Sequence, residues 1–323
     1  MRNSILKNVL VNIRALFTTN IRNKLNANSS KIALLEEIVN SMDQTITSKF
    51  HFLNLMEYYA RHNEEAIQYI KELDFLRRSG AYCSFPYDIS NEPINTESGF
   101  DAIAKLSFVM HKNKKLFFKA GYSPDEAVEL YKYYIQVERL LDDEEKGSAP
   151  HQYQSSKIHV NRGDVLFDIG AAEGLFALDQ IEKAAHVVIV ESDPEWIEPL
   201  KHTFAPYDDK VTILQKFVSA TDTANTISLG KLLSTIDYNS AFIKMDIEGF
   251  EIPAITSAAE LLKQRNIKMA VASYHKQHDA EELKILFDKC GYNTEFSTGY
   301  MLFHLYDTPT PPYFRKGIIR AEK

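Results

Sequence analysis

The 323-residue chain has only two cysteines, one tryptophan and no apolar run approaching the ~20 residues that a membrane-spanning helix needs. Cys83 and Cys290 are far apart and match no metal spacing. Both are expected as reduced thiols in a cytoplasmic protein. An excess of basic charge is also missing: the net charge is -7, and no Lys/Arg cluster interleaved with aromatics stands out. A nucleic-acid partner, which would need a basic surface to displace counterions from phosphate, is therefore not expected. Before Gly80 the chain lacks glycine and proline altogether. That absence, with helical apolar spacing over residues 31–78, predicts a helical N-terminal region spanning residues 1–147.

Acidic residues are absent up to Glu36, whereas Arg2, Lys7, Arg14, Arg22, Lys24 and Lys31 precede it. Leu6, Leu10, Ile13, Phe17, Ile21 and Leu25 form one apolar stripe at helical spacing. Asn12 and Arg14 interrupt the apolar core that a secretory signal would need. The stripe is expected to pack on the protein itself or on a partner subunit in a homo-oligomer. The alternative is peripheral contact of residues 1–28 with an anionic membrane surface.

Residues 84–99 are rich in turn formers and read as a connector, and 100–120 as one or two short helices. Ser123 caps a further helix, with Pro124 at its first position and acids in its first turn, running to about Leu141. Residues 142–147 are charged and read as a loop.

At Gly163 the pattern changes. Apolar runs at Val165–Ile169, Val187–Val190, Val211–Leu214, Phe242–Met245 and Met269–Ala272 alternate with helical segments, the signature of parallel βαβ construction. The helices are expected at 174–183, 194–204, 229–236, 251–263 and 280–290. Tyr292–Phe296 and Tyr300–Leu305, joined by Ser-Thr-Gly, read as a terminal antiparallel hairpin. Five parallel units ending in such a hairpin describe an α/β fold of the class I S-adenosylmethionine (SAM) methyltransferase type, a Rossmann-like sheet over 148–306. A dinucleotide-binding sheet usually ends in a sixth parallel strand. The proline-containing tail, 307–323, is expected to be irregular.

Ligand-binding residues are expected at the carboxyl ends of these strands. The first junction reads Asp168-Ile-Gly170-Ala171-Ala-Glu173-Gly174. Its glycines let backbone approach a ligand, and the helix start suits a carboxylate. Asp168 can offer an anion to the ligand's ammonium or sulfonium. A dinucleotide site would want glycine where Ala172 and Leu175 stand. Glu191, followed by Ser192, ends the second strand and can take two ribose hydroxyls. Val218 lies after the third, where adenine could be sandwiched. Lys244, Asp246 and Glu248 alternate at the end of the fourth strand, and three charges there are costly to bury without partners or a ligand. His275 ends the fifth.

The motifs FDIGAAEG (167–174), VESDPEW (190–196), IKMDIEGFE (243–251) and SYH (273–275) resemble the FkbM family of SAM-dependent methyltransferases, over roughly Ala149 to Phe303. The K-x-D-x-E-G-x-E arrangement is the most specific of these. The segment Ala149-Pro-His151-Gln-Tyr153 looks like a short element that some members carry before the domain. The family often has Asn at the position of Glu173, and an Asp where Gly230 stands.

The resemblance implies SAM as cofactor and O-methylation of a hydroxyl on a sugar, glycan or polyketide-like small molecule. Cofactor contacts are then expected from Asp168, Gly170, Ala171, Glu173, Gly174, Glu191, Ser192, Val218 and Asp246. His151, Tyr153, Lys244 and Tyr274 are expected at the acceptor, and His275, Asp246 and Glu248 in catalysis. His275 is the expected proton acceptor, with His278, His151 and Asp246 behind it. Asp246, Glu248 and His275 are chemically reasonable metal ligands, but no tight spacing demands an ion and none is expected. A non-catalytic SAM-fold binding module and an NAD-dependent oxidoreductase are the alternatives. The missing glycines and the terminal hairpin weigh against the latter.

Overall fold

The computed structural model describes residues 46–89, 93–141, 149–303 and 309–323. The basic stripe of residues 1–28 and the charged stretch 142–147 lie outside them. The chain divides into two compact units, Met1–Cys83 and Ser84–Lys323, so the second begins well upstream of the boundary expected at residue 148.

In the first unit, residues 46–61, Asn63–Ala66 and Ile70–Ser79 are helical, as the lack of glycine and proline predicts. Leu55, Tyr59, Leu73 and Leu76 are buried within it. Gly80, with φ 65°, ends the last helix and returns its N–H to the Leu76 carbonyl.

The second unit opens with strands where short helices were expected: β1 (Ser98–Asp101), β2 (Leu106–His111) and β3 (Lys114–Phe117) form an antiparallel sheet. Lys112 and Asn113 both take positive φ, the geometry of a two-residue hairpin turn. That local turn and the half-buried aromatic strands outweigh the helical spacing. Ser123 caps the helix Pro124–Lys132 through a capping box with Glu126. The helix then widens into a π-turn, Tyr133–Glu138, which ends at Arg139 in the left-handed region.

The main sheet contains β4 (Val165–Ile169), β5 (His186–Glu191) and β6 (Val211–Gln215). A small parallel pair, β7 (Phe217–Ser219) and β8 (Thr226–Ser228), follows beside it. The main sheet resumes with β9 (Ala241–Met245), β10 (Ile267–Ala272) and β11 (Asn293–Phe296). Two short strands, β12 (Met301–Leu302) and β13 (Phe314–Arg315), pair with each other before the final strand, β14 (Ile318–Glu322). The seven-stranded order is β11-β14-β10-β9-β4-β5-β6, parallel except for β14. This is the expected mostly parallel α/β sheet, with its one antiparallel strand next to the edge. Alternating side chains bury both faces: Leu166, Ile189 and Phe242 on one, Phe167, Val188 and Ile243 on the other. Each fully buried aliphatic or aromatic side chain contributes about 1.5–3 kcal/mol, which anchors the strand ends that carry the site.

The terminal antiparallel pair exists, but its second member is not Tyr300–Leu305. It is β14, inside the tail expected to be irregular, and β14 inserts between β10 and β11. Prolines 309, 311 and 312 end before Tyr313, and Ile318-Ile-Arg-Ala-Glu322 is a separate buried strand. Its Arg320 is buried because it donates to the carbonyls of Gln152 (2.8 Å) and Tyr153 (3.2 Å) and pairs with Glu295 at 3.1 Å. A Cβ on Gly317 would lie 1.8 Å from the Pro150 carbonyl oxygen. The tail strand thus clamps the segment that carries His151 and Tyr153.

Candidate active site

The first junction is a tight glycine turn. Gly170 has φ 72°, and a Cβ there would meet the Asp246 carbonyl oxygen at 1.8 Å, so only glycine lets the β4 and β9 loops pass. Gly174, with φ 82°, starts the six-residue helix Leu175–Gln180, and its missing Cβ makes room for Leu200 and Phe204. Glu191 ends β5 with both oxygens on backbone: Ala172 N–H donates to one and Asp193 N–H to the other, each at 2.8 Å. Each carboxylate oxygen keeps a lone pair beyond that bond. Ala171 and Val218 are buried and Ser192 is half-buried, while Phe217 beside Val218 is exposed.

Asp168 and Lys244 meet each other. They are register partners on adjacent parallel strands, so their side chains leave the same face side by side. Asp168 is fully buried with Lys244 Nζ 3.2 Å away, and Lys244 also donates to the Gly170 carbonyl. The pair therefore braces the glycine turn from within. Glu173 is also turned inward, and burial pushes its carboxyl up to about 7.

Asp246 is the hub of the other half of the site. Its Oδ2 accepts from the hydroxyls of Tyr153 (2.7 Å) and Tyr274 (3.0 Å) and lies 3.2 Å from His151 Nε2. His151 Nδ1 is 2.9 Å from Glu138, the last residue of the π-turn, and Phe85 stacks on the ring. The Asp246 Oδ1 lies 3.3 Å from His275 Nε2, which is also 3.2 Å from Glu248 Oε2. His275 Nδ1 is 3.1 Å from Glu251 Oε1, an ion-pair distance off the hydrogen-bond direction. Arg315 holds the chain here by donating to the carbonyls of Tyr274 and His275.

Charge follows from this packing. Burial works against a charge on His151, but its bonds to Asp246 and Glu138 outweigh it and raise the ring to about 9. Burial likewise opposes His275, yet Glu248, Glu251 and Asp246 hold it up to about 10. Burial alone would raise the Asp246 carboxyl; His151, His275 and Lys244 instead drive it far below the usual range. The Tyr153 and Tyr274 hydroxyls are pushed up, first by burial and then by the Asp246 charge.

His151, Tyr153, Asp246, Glu248, Tyr274 and His275, read from scattered motifs, are thus brought together. His278 is exposed at the start of the helix Asp279–Lys289. Two members were missed. Glu251 stands in the IEGFE motif, whose spacing four residues after Ile247 could have flagged it. Glu138 carries no local signal, because only the π-turn aims it at His151.

Residues 179–294 match the Methyltransferase FkbM domain. Over that stretch the chain is similar to FkbM methyltransferases. No curated protein matches it. Among solved structures, it is similar to the methyltransferase FkbM from Methylobacillus flagellatus KT, at 17% identity and a TM-score of 0.42. That match covers 62% of this chain and 61% of the other. It is also similar to the magnesium protoporphyrin IX methyltransferase from Synechocystis PCC 6803 with bound SAM, at 14% identity and a TM-score of 0.34 over 50% of this chain and 71% of that one.

Proposed function

We propose that this FkbM methyltransferase moves the methyl group of SAM to a hydroxyl of a sugar, glycan or polyketide-like small molecule. The observation that carries the proposal is the Asp246 carboxylate, gripped by two tyrosine hydroxyls and flanked by two imidazoles, each backed by its own carboxylate. The glycine turn fits the cofactor: Gly170 admits no side chain, and Glu191 keeps lone pairs for two ribose hydroxyls. When bound, SAM supplies an electrophilic methyl on a sulfonium.

The protein's part is to orient the acceptor and take its proton. His151 meets two carboxylates where His275 meets three, so His151 gives up its resting proton more readily and can then accept one from the hydroxyl. Glu138 steadies the charged ring, while Tyr153 and Tyr274 fix Asp246 beside it. The acceptor class follows from the family resemblance.

Calorimetric titration with SAM and with NAD, followed by turnover on a panel of hydroxylated glycans, tests this reading. Binding of SAM with methyl transfer to a glycan hydroxyl is expected. Tight NAD binding without SAM binding would end it, and SAM binding without turnover on any hydroxyl would favour a binding module.

A further inference from the structure

Proton transfer from a hydroxyl needs one imidazole, and the second has surroundings of another kind. His275 Nε2 lies 3.3 Å from Asp246 Oδ1 and 3.2 Å from Glu248 Oε2. Ligand atoms held at about 2.0–2.2 Å from a divalent ion stand roughly 3.0–3.4 Å apart, so each of these two carboxylate oxygens stands from Nε2 at a separation found within a coordination shell. Behind the ring, Glu251 Oε1 sits 3.1 Å from Nδ1 and is fixed by the Ile247 N–H at 2.8 Å. That carboxylate holds the ring by charge and leaves Nε2 facing Asp246 and Glu248. Ligand atoms of Asp246, Glu251 and His275 all lie within 4.8 Å of one another.

Two further observations argue for a cation. Glu251 is 1% exposed, yet its Oε2 has no hydrogen-bond partner, a costly state for a buried carboxylate oxygen. Glu248 holds φ 57°, a left-handed backbone that an L-residue rarely adopts, and its side chain reaches His275. Nearby cations are committed elsewhere. Lys244 pairs with Asp168, Lys276 donates to the Gly249 carbonyl at 2.6 Å, and Arg315 donates to two carbonyls. Among the described residues no Lys or Arg forms an ion pair with Asp246, Glu248 or Glu251.

We propose that His275 Nε2, Asp246 Oδ1 and Glu248 Oε2 bind a divalent cation of the manganese-to-zinc series, with Glu251 orienting the imidazole. Imidazole beside carboxylates suits those ions better than calcium or magnesium. Glu248, at the exposed mouth, is the ligand that closes the shell, and acceptor or solvent oxygens complete it. Only the purpose of the ion, positioning acceptor oxygens, rests on the proposed function; its binding does not.

The test is titration of the full-length, metal-stripped protein near neutral pH, without SAM. Mn²⁺ is followed by electron paramagnetic resonance and Co²⁺ by visible absorption. One equivalent should bind. His275→Ala should weaken binding by about 100-fold or more, and Glu248→Gln, on an exposed side chain that the fold does not need, by about 10-fold. Glu251→Gln should cost roughly 10–100-fold, as loss of an outer carboxylate does. No binding of either ion at millimolar concentration, or equal binding by wild type and Glu248→Gln, would overturn the proposal. A parallel SAM titration separates the two readings. Protein that binds SAM but neither ion loses the metal site alone, and protein that binds an ion but not SAM loses the methyl-donor reading alone.

Discussion

On the glycine-turn side of the sheet edge, charges cancel locally: Asp168 faces Lys244, and Glu191 rests on two backbone N–H groups. On the Asp246 side they do not, because four carboxylates surround two imidazoles within one hydrogen-bonded cluster. The first side is a cradle shaped by its glycines, with Asp168 held by ion pairing to Lys244 and Glu191 keeping lone pairs for a ligand. The second keeps net negative charge in a nearly dry setting, where electrostatic interactions are strong. Such unbalanced charge is costly to fold and is retained where chemistry needs it.

The sharpest way to break this contrast is at His151. His151→Ala should lower methyl transfer by about 10²–10⁴-fold while SAM affinity stays close to wild type, because the loss falls on proton transfer alone. Glu138→Gln should reproduce part of that loss in kcat with little change in KM. Near-normal turnover by His151→Ala would return the base role to His275.

Next in size is the cradle. Gly170→Ala forces a Cβ against the Asp246 carbonyl at 1.8 Å in a left-handed conformation. Destabilisation of roughly 2–4 kcal/mol is expected in urea unfolding, with SAM binding lost in parallel. A variant as stable as wild type would show that the two loops can separate freely.

A smaller effect should come from Glu191→Ala, about 10-fold weaker SAM binding by calorimetry, since charge-assisted bonds to ribose are removed but the turn persists. Unchanged affinity would detach the second strand from the cofactor.

The smallest lies away from both sides and serves as their control. Burial would raise Asp179, but His111 at 2.8 Å and Lys112 outweigh it and lower the carboxyl from 3.8 to about 2. Its folded value is depressed, so its stabilisation is present above pH ~4 and is lost as pH falls through about 2. With Lys112 exposed, about 1 kcal/mol is a fair size for it. Asp179→Asn should flatten acid unfolding in that window without altering methyl transfer. A change in turnover would tie this pair to the site.

Much of the fold could be read along the chain because its signals are local. Apolar runs located β4, β5, β6, β9 and β10, and the Ser123-Pro-Asp-Glu126 start marked a capped helix, since each depends on residues a few positions apart. The same locality placed Gly170, Glu191, Asp246 and His275 at strand ends. What the chain alone could not decide is which distant groups meet. Strand register set Asp168 and Lys244 side by side as a buried ion pair. A π-turn aimed Glu138 at His151, and insertion of β14 made a structural clamp of a tail that reads as loop. Those outcomes depend on burial and on pairings from 13 to 168 residues apart, where the energy of a contact is settled by the packed sheet and not by its neighbours in sequence.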